Sequence, residues 1–247
     1  VLIMITLYAV KSTVGWDTIE SEGSLETVPP AERLRILKFK KNEDKTRALL
    51  AILLSRYALA KALQTQEDEL VIERDEYGRP FLASPHWEGD FNLSHSGEWV
   101  VCAVTSKGKI GVDVEKVEEV DINLFKGVLT SRELELLAGS KGEAIPVFYS
   151  LWSRKESFVK ALGTGLSQPI DKFEFVAEPA VDGYQVRLTD AGILPSWKCK
   201  DFSLDKGYSL AVSTDQPSFP KIINFVSTAE LFSTPLQTRS MWYHCEH

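Results

Sequence analysis

Phe148-Tyr-Ser-Leu-Trp-Ser-Arg-Lys-Glu-Ser-Phe-Val-Lys-Ala-Leu-Gly-Thr-Gly-Leu166 is the stretch around which the rest of the chain can be read. Pro146 stands where a first helical turn tolerates a missing N–H, and Gly163 stands where a left-handed C-terminal cap belongs. Phe148, Leu151, Trp152, Val159 and Leu162 recur at helical spacing and give one apolar face. Lys155, Glu156 and Lys160 fall in the same helix. Glu156 and Lys160 are four residues apart, so taken alone they read as an ordinary exposed ion pair. An acidic motif upstream changes that reading, because it needs one more carboxylate.

That motif is Ile110-Gly-Val-Asp-Val-Glu115. Residues two apart in a strand face the same side, so Asp113 and Glu115 project together while Val112 and Val114 enter the opposite face. Adjacent carboxylates on a mostly apolar strand repel each other. Either one stays protonated or a cation holds both; a strand running out into solvent is the remaining alternative. All-oxygen ligands suit a hard ion such as Mg²⁺, which keeps waters and shares phosphate oxygens of a substrate. Zinc is disfavoured, since only His95 lies near as a soft ligand.

Outward from these two motifs the pattern alternates between helix and strand. Residues 2–10 read as a buried first strand rather than a signal peptide, and residues 11–30 as a loop with Gly15, Gly23 and Pro29-Pro30. Residues 44–63 form a long helix with Leu49, Leu50, Leu53, Leu54, Tyr57 and Leu63 as its stripe. Before it and in its first turn, Arg33, Arg35, Lys38, Lys40, Lys41, Lys45 and Arg47 crowd together, either as a solvated face or as an anion site. A strand at 70–73, a turn at 76–80 and a hairpin of 91–94 with 99–105 follow, His95 standing at the turn. A histidine there reads by itself as a structural residue. Thr130 and Glu133 form a capping pair for a short helix at 131–138. Strands are expected at 172–177, 184–188 and 208–213.

A faint internal repeat runs through this order: long helix, glycine-proline turn, strand, then an apolar strand, once in each half. It predicts an α+β fold of two similar halves related by a pseudo-twofold, residues 1–106 and 107–215, with the site in the cleft between them. Residues 216–247 read as an extension of unknown role. The net charge of −7 argues against nucleic acid as a partner. No apolar run reaches the ~18 residues of a membrane helix. Three cysteines without metal-ligand spacing fit a reducing, cytoplasmic setting.

With these residues in hand, the chain resembles the surfactin-synthetase-activating type of 4′-phosphopantetheinyl transferase. The resemblance rests on Glu76-Tyr-Gly-Arg-Pro80, Phe91-Asn-Leu-Ser-His-Ser96, Gly111-Val-Asp-Val-Glu115, Leu151-Trp-Ser-Arg-Lys-Glu-Ser-Phe-Val-Lys160 and Gly163-Thr-Gly-Leu166, and covers roughly residues 2–213. It implies transfer of phosphopantetheine from coenzyme A to a serine of an apo carrier protein of peptide, polyketide or fatty-acid synthesis, with release of adenosine 3′,5′-bisphosphate. It implies Mg²⁺ on Asp113, Glu115 and Glu156, with Glu156 taking the serine proton and Lys160 steadying the pyrophosphate. His95, Arg35 and Arg47 would hold the 3′-phosphate and Lys155 would contribute to phosphate binding. Tyr77, Arg79, Pro80 and Ser94 would line the adenine and its ribose phosphate. Residues 163–194 would dock the carrier, and an internal pseudo-dimer would work as a monomer. Glu32 stands where relatives often carry a lysine, and Arg79 replaces a frequent lysine. A catalytically silent carrier-binding module and a Mg²⁺-dependent phosphohydrolase are the rival expectations.

Overall fold

Each half of the sequence builds one sheet with one long helix laid across it in the computed structural model, which describes residues 3–163, 169–178, 180 and 182–233. The first half contributes β1 (Ile5–Lys11), α1 (Trp16–Ser21), α2 (Pro30–Leu37), α3 (Asn42–Leu63), β2 (Val71–Arg74), β3 (Pro80–Ser84), β4 (Asp90–Ser96) and β5 (Trp99–Thr105). The second contributes β6 (Ile110–Lys116), α4 (Ser131–Ala138), α5 (Ala144–Leu162), β7 (Phe173–Glu178), β8 (Gly183–Leu188), β9 (Gly192–Asp201) and β10 (Tyr208–Thr214). The chain then adds β11 (Ile223–Val226) and α6 (Thr228–Phe232). Strand order is β11-β1-β5-β4 in one sheet and β6-β10-β9-β8-β7 in the other, with β2 and β3 as a separate hairpin. The two-half α+β architecture expected from the sequence is the one adopted.

Helix α3 is buried along most of its circumference, with Leu49, Leu50, Leu54 and Leu59 fully enclosed, because it is covered by β5 on one side and by α1, α2 and α6 on others. The region read as a loop folds into α1 for a simple reason: Trp16 and Ile19 are buried against the core that α3 organises. The residues beyond 215 return to the first half. β11 pairs in parallel with β1, and Tyr57 of α3 donates a hydrogen bond to Glu230 of α6. Residues 234–247 lie outside the described residues. Among those described, no helix is long and apolar enough to cross a membrane.

Helix α5 ends as its sequence requires, at Gly163 with φ +70°, whose N–H reaches the carbonyls of Val159 and Lys160. Phe148, Leu151 and Val159 of the expected stripe are buried, while Trp152 and Leu162 are half-buried. The face that meets the sheet is a second one, made of Ser153, Ser157 and Ala161, all fully enclosed. Ser153 bonds Ser209 at 2.6 Å and Ser157 bonds Ser213 at 2.8 Å, both on β10. Gly111 of β6 lies under the same face; a Cβ there would stand 2.0 Å from the Ser157 carbonyl oxygen. Small side chains on both surfaces let helix and sheet approach closely, and that approach brings Glu156 and Lys160 beside β6.

Candidate functional site

The two sheets meet where β4 runs beside β6, yet these strands belong to different sheets. Side chains make the join instead. Asp90 Oδ2 accepts from the Ile110 N–H (3.2 Å), Asn92 Oδ1 from Val112 (3.0 Å), Ser94 Oγ from Val114 (3.3 Å) and Ser96 Oγ from Lys116 (3.0 Å). Four alternate residues of β4 thus serve four alternate N–H groups of β6, the period-two geometry of both strands in register. A serine hydroxyl that accepts a backbone N–H still has its proton to give. Ser94 donates it to Asp113 Oδ1 at 3.0 Å and Ser96 to Glu115 Oε2 at 3.1 Å.

Asp113 is buried, and burial pushes its carboxyl above the ordinary range against the opposing pull of Lys160 and Ser94. Lys160 Nζ lies 2.6 Å from Asp113 Oδ1 and 3.0 Å from Ser94 Oγ. The other oxygen, Asp113 Oδ2, is enclosed without any hydrogen-bond partner. A buried carboxylate oxygen left bare costs several kcal/mol by the usual range of ~1–3 or more for charged groups. Glu115 receives the Trp152 indole N–H at 3.2 Å on its second oxygen; burial, then repulsion from Asp113, push its carboxyl up to about 6. Glu156, across from the strand on α5, is pushed up by burial and then by Asp113, with Lys160 opposing. Both glutamates therefore feel Asp113.

Among the described residues, no three histidine, cysteine, aspartate or glutamate side chains converge into a ready-made metal centre. The donor set nonetheless fits a hard divalent cation. It consists of oxygens only, one of them buried and unpartnered, and its carboxylates are held above their ordinary range by burial.

The remaining expected residues divide into three groups. His95 is solvent-exposed on β4, and its imidazole is pushed below the ordinary range by the surrounding protein, then by the positive charges of Arg47 and Lys160. The Arg47 guanidinium donates to the Gly97 carbonyl at 2.9 Å and pairs with Asp44. His95, Arg47, Ser94 and Lys160 are thus brought together. Arg79 and Pro80 line a cleft of about 280 Å³, together with Tyr77, Leu93, Glu156 and Lys160, so that it takes walls from both halves. Arg79 is committed within it: Nη2 to Asp90 Oδ2 at 2.7 Å, Nη1 to the Lys160 carbonyl at 2.8 Å. Arg35 pairs with Glu32 at 2.9 Å, and Arg74 binds the same carboxylate, beside Pro80 and Leu93.

Lys155 requires a correction. Expected to contribute to phosphate binding, it is completely buried beneath α5, paired with Glu133 and with two backbone carbonyls, and it does not line the cleft. Thr164, Gly165 and Leu166 of the last motif, and residues 164–168, 179 and 181 of the expected docking region, lie outside the described residues. Sequence reading passed over Asn92, Ser96 and Trp152. Their signals were present: polar residues alternating along Phe91-Asn-Leu-Ser-His-Ser96, and an indole N–H that needs a partner once half-buried.

Comparison with known proteins gives consistent matches. Residues 15–107 match the model of 4′-phosphopantetheinyl transferase, N-terminal, and residues 109–213 that of the 4′-phosphopantetheinyl transferase superfamily. The chain is 36% identical over 214 residues to 4′-phosphopantetheinyl transferase Sfp of Bacillus subtilis (strain 168), covering 86% of this chain and 93% of that one. It is 33% identical over 218 residues to 4′-phosphopantetheinyl transferase ffp of Bacillus subtilis, covering 84% and 91%. A mouse relative, L-aminoadipate-semialdehyde dehydrogenase-phosphopantetheinyl transferase, is 28% identical over 213 residues, covering 78% and 69%.

Proposed function

Since the chain belongs to the 4′-phosphopantetheinyl transferase superfamily and is such a transferase, we propose that it moves the phosphopantetheine of coenzyme A onto a serine of apo acyl or peptidyl carrier proteins, with Mg²⁺, releasing adenosine 3′,5′-bisphosphate. The observation that carries this reading is the bare, buried Asp113 Oδ2 at the seam, flanked by Glu115 and faced by Glu156 and Lys160. Asp113, Glu115 and Glu156 would hold the ion. When bound, it would neutralise charge on the pyrophosphate.

The chain's own residues supply the rest. Glu156 takes the proton from the carrier serine hydroxyl. The serine oxygen forms its bond to the phosphorus that bears pantetheine, and the bond from that phosphorus to the adenosine bisphosphate oxygen breaks. Lys160 steadies the charge that grows on the leaving phosphate. Arg47 and His95 hold the 3′-phosphate, with Arg35 reaching it once freed from Glu32. Ser94, Arg79 and Pro80 border the nucleotide, Arg79 by holding the wall rather than by contact. Residues 1–106 and 107–215 act as the two working halves. The carrier docks along 163–194, and one copy of the chain suffices.

The test is to mix the protein with coenzyme A, Mg²⁺ and an apo carrier and to weigh the carrier. A gain of one phosphopantetheine is expected, and Glu156→Gln abolishes it without unfolding the protein. An unmodified carrier bound tightly would identify a binding module instead. Breakdown of coenzyme A with the carrier unchanged would identify a hydrolase.

A further inference from the structure

Lys155 has the charge of a ligand-binding residue and the surroundings of a structural one. Its three ammonium protons meet three acceptors: Glu133 Oε2 at 2.9 Å, the Ile170 carbonyl at 2.9 Å and the Phe173 carbonyl at 2.7 Å. The Phe173 ring lies under it, 4.8 Å from Nζ to centroid. Glu133 is engaged in turn. Its Oε2 takes the Thr130 N–H at 2.8 Å and closes the capping box of α4, while Thr130 Oγ1 donates to Glu174 Oε2 at 3.2 Å and Glu174 pairs with Arg187. One enclosed network therefore ties together the start of α4, the middle of α5, the turn at Ile170–Lys172 and strands β7 and β8. The turn at Ile170–Lys172 lies within the stretch 163–194 proposed to receive the carrier. Glu156, proposed as the base, is the very next residue on α5.

We propose that Lys155 is a positioning residue for acceptor use: it fastens the 170–173 segment, on the carrier side, to the helical turn that carries Glu156. This rests on the function proposed above. An isolated hydrophobic contact could hold the helix down, but it would not fix the segment's carbonyls relative to Glu156; three directed bonds do. The side chain contributes nothing to coenzyme binding, since it never reaches the cleft. It acts on the alignment of the incoming serine.

Steady-state transfer to an apo carrier separates this role from the alternatives. With wild type active, Lys155→Met is expected to lower kcat/KM for the carrier by about tenfold or more, the size of effect that misalignment produces. KM for coenzyme A should stay within about twofold, since uniform binding of the donor is untouched. Glu133→Gln, which disturbs the network from a residue that neither reading places near the coenzyme, should show the same split and carries the test if Lys155→Met does not fold. Removing one partner of a buried pair leaves an uncompensated charge, and removing both relieves it. The double variant Lys155→Met with Glu133→Gln should therefore recover melting temperature over Lys155→Met or Glu133→Gln alone while its carrier kcat/KM stays low. A rise in KM for coenzyme A with carrier parameters intact overturns the proposal in favour of a phosphate contact. Transfer that recovers together with melting temperature in the double variant overturns it in favour of a structural role. An inactive wild type would instead refute the transfer reading itself.

Discussion

Arg79→Met tests whether the cleft wall is held by the residue assigned to it. The guanidinium joins three elements: the hairpin turn that carries it, Asp90 at the start of β4, and the last turn of α5 through the Lys160 carbonyl. Its side chain is 16% exposed and that of Asp90 10%, so both charges are largely withdrawn from water. Breaking a buried pair by removing one partner costs ~3–5 kcal/mol. Here Asp90 keeps the N–H groups of Phe91 and Ile110, which offsets part of the loss. The expected cost is about 2–4 kcal/mol after crediting ~1 kcal/mol for those retained bonds. In a chain of this size each kcal/mol moves Tm by ~2–4 °C, giving a fall of roughly 4–16 °C. Thermal unfolding of the ligand-free protein, followed by circular dichroism, measures it. Arg79→Lys should fall between, because a point charge cannot serve the carboxylate and the carbonyl in the same fork. A variant that melts with wild type, and differs only by a higher KM for coenzyme A, would refute the reasoning and return Arg79 to the ligand.

Three further outcomes follow from the geometry. Gly111→Ala puts a Cβ 2.0 Å from the Ser157 carbonyl and 2.4 Å from the Ala161 N, both backbone atoms of α5, so the helix must lift from β6. Transfer should fall on the order of a hundredfold, since small misplacements of reacting groups cost that much; wild-type turnover would show that close approach is not needed. Burial holds the carboxyls of Asp113, Glu115 and Glu156 above their unfolded values, so the folded chain binds protons more tightly there. Glu115 makes ion-free protein gain stability as pH falls below about 6 and lose it as pH rises through the window from 4.5 to about 6, and Asp113 and Glu156 act in the same direction. Mg²⁺ should therefore raise Tm near about pH 7.5 and much less at about pH 5, where protons already neutralise the site; an equal shift at both values would count against these carboxylates as ligands. Arg47→Ala should raise KM for coenzyme A strongly and for 3′-dephospho coenzyme A little. Equal losses would detach Arg47 from the 3′-phosphate.

Much of this arrangement could be read before the fold was known. The alternation in Phe91-Asn-Leu-Ser-His-Ser96 and in Gly111-Val-Asp-Val-Glu115 placed two carboxylates on one face because side-chain period two leaves no other choice. The ends of α5, and the capping box at Thr130, are local chemistry and were equally legible. What escaped depended on distant partners. β9 carries Pro195 and an irregular burial pattern, since its register against β8 jumps from Lys198 to Leu194 and leaves 195–197 unpaired. β11 is four residues long and pairs with a strand more than two hundred positions away. Lys155 looked like its charged neighbours, because nothing local distinguishes a lysine in water from one sealed over by a returning loop. The serine face of α5 was hidden for a related reason. Small polar residues read as solvated unless matching serines from another strand are known to lie opposite.

The side-chain ladder from β4 has a further consequence for how the molecule can be dissected. β6 is an outer strand of the five-stranded sheet, and such a border ordinarily offers its free amides to any extended peptide that passes. Here Asp90, Asn92, Ser94 and Ser96 occupy those amides one by one, as a zip fastener closes a seam. Residues 107–215 produced alone would have that border open, and a second molecule would be the nearest thing able to shut it. The isolated half should consequently self-associate, and adding residues 1–106 in trans should dissolve the aggregate.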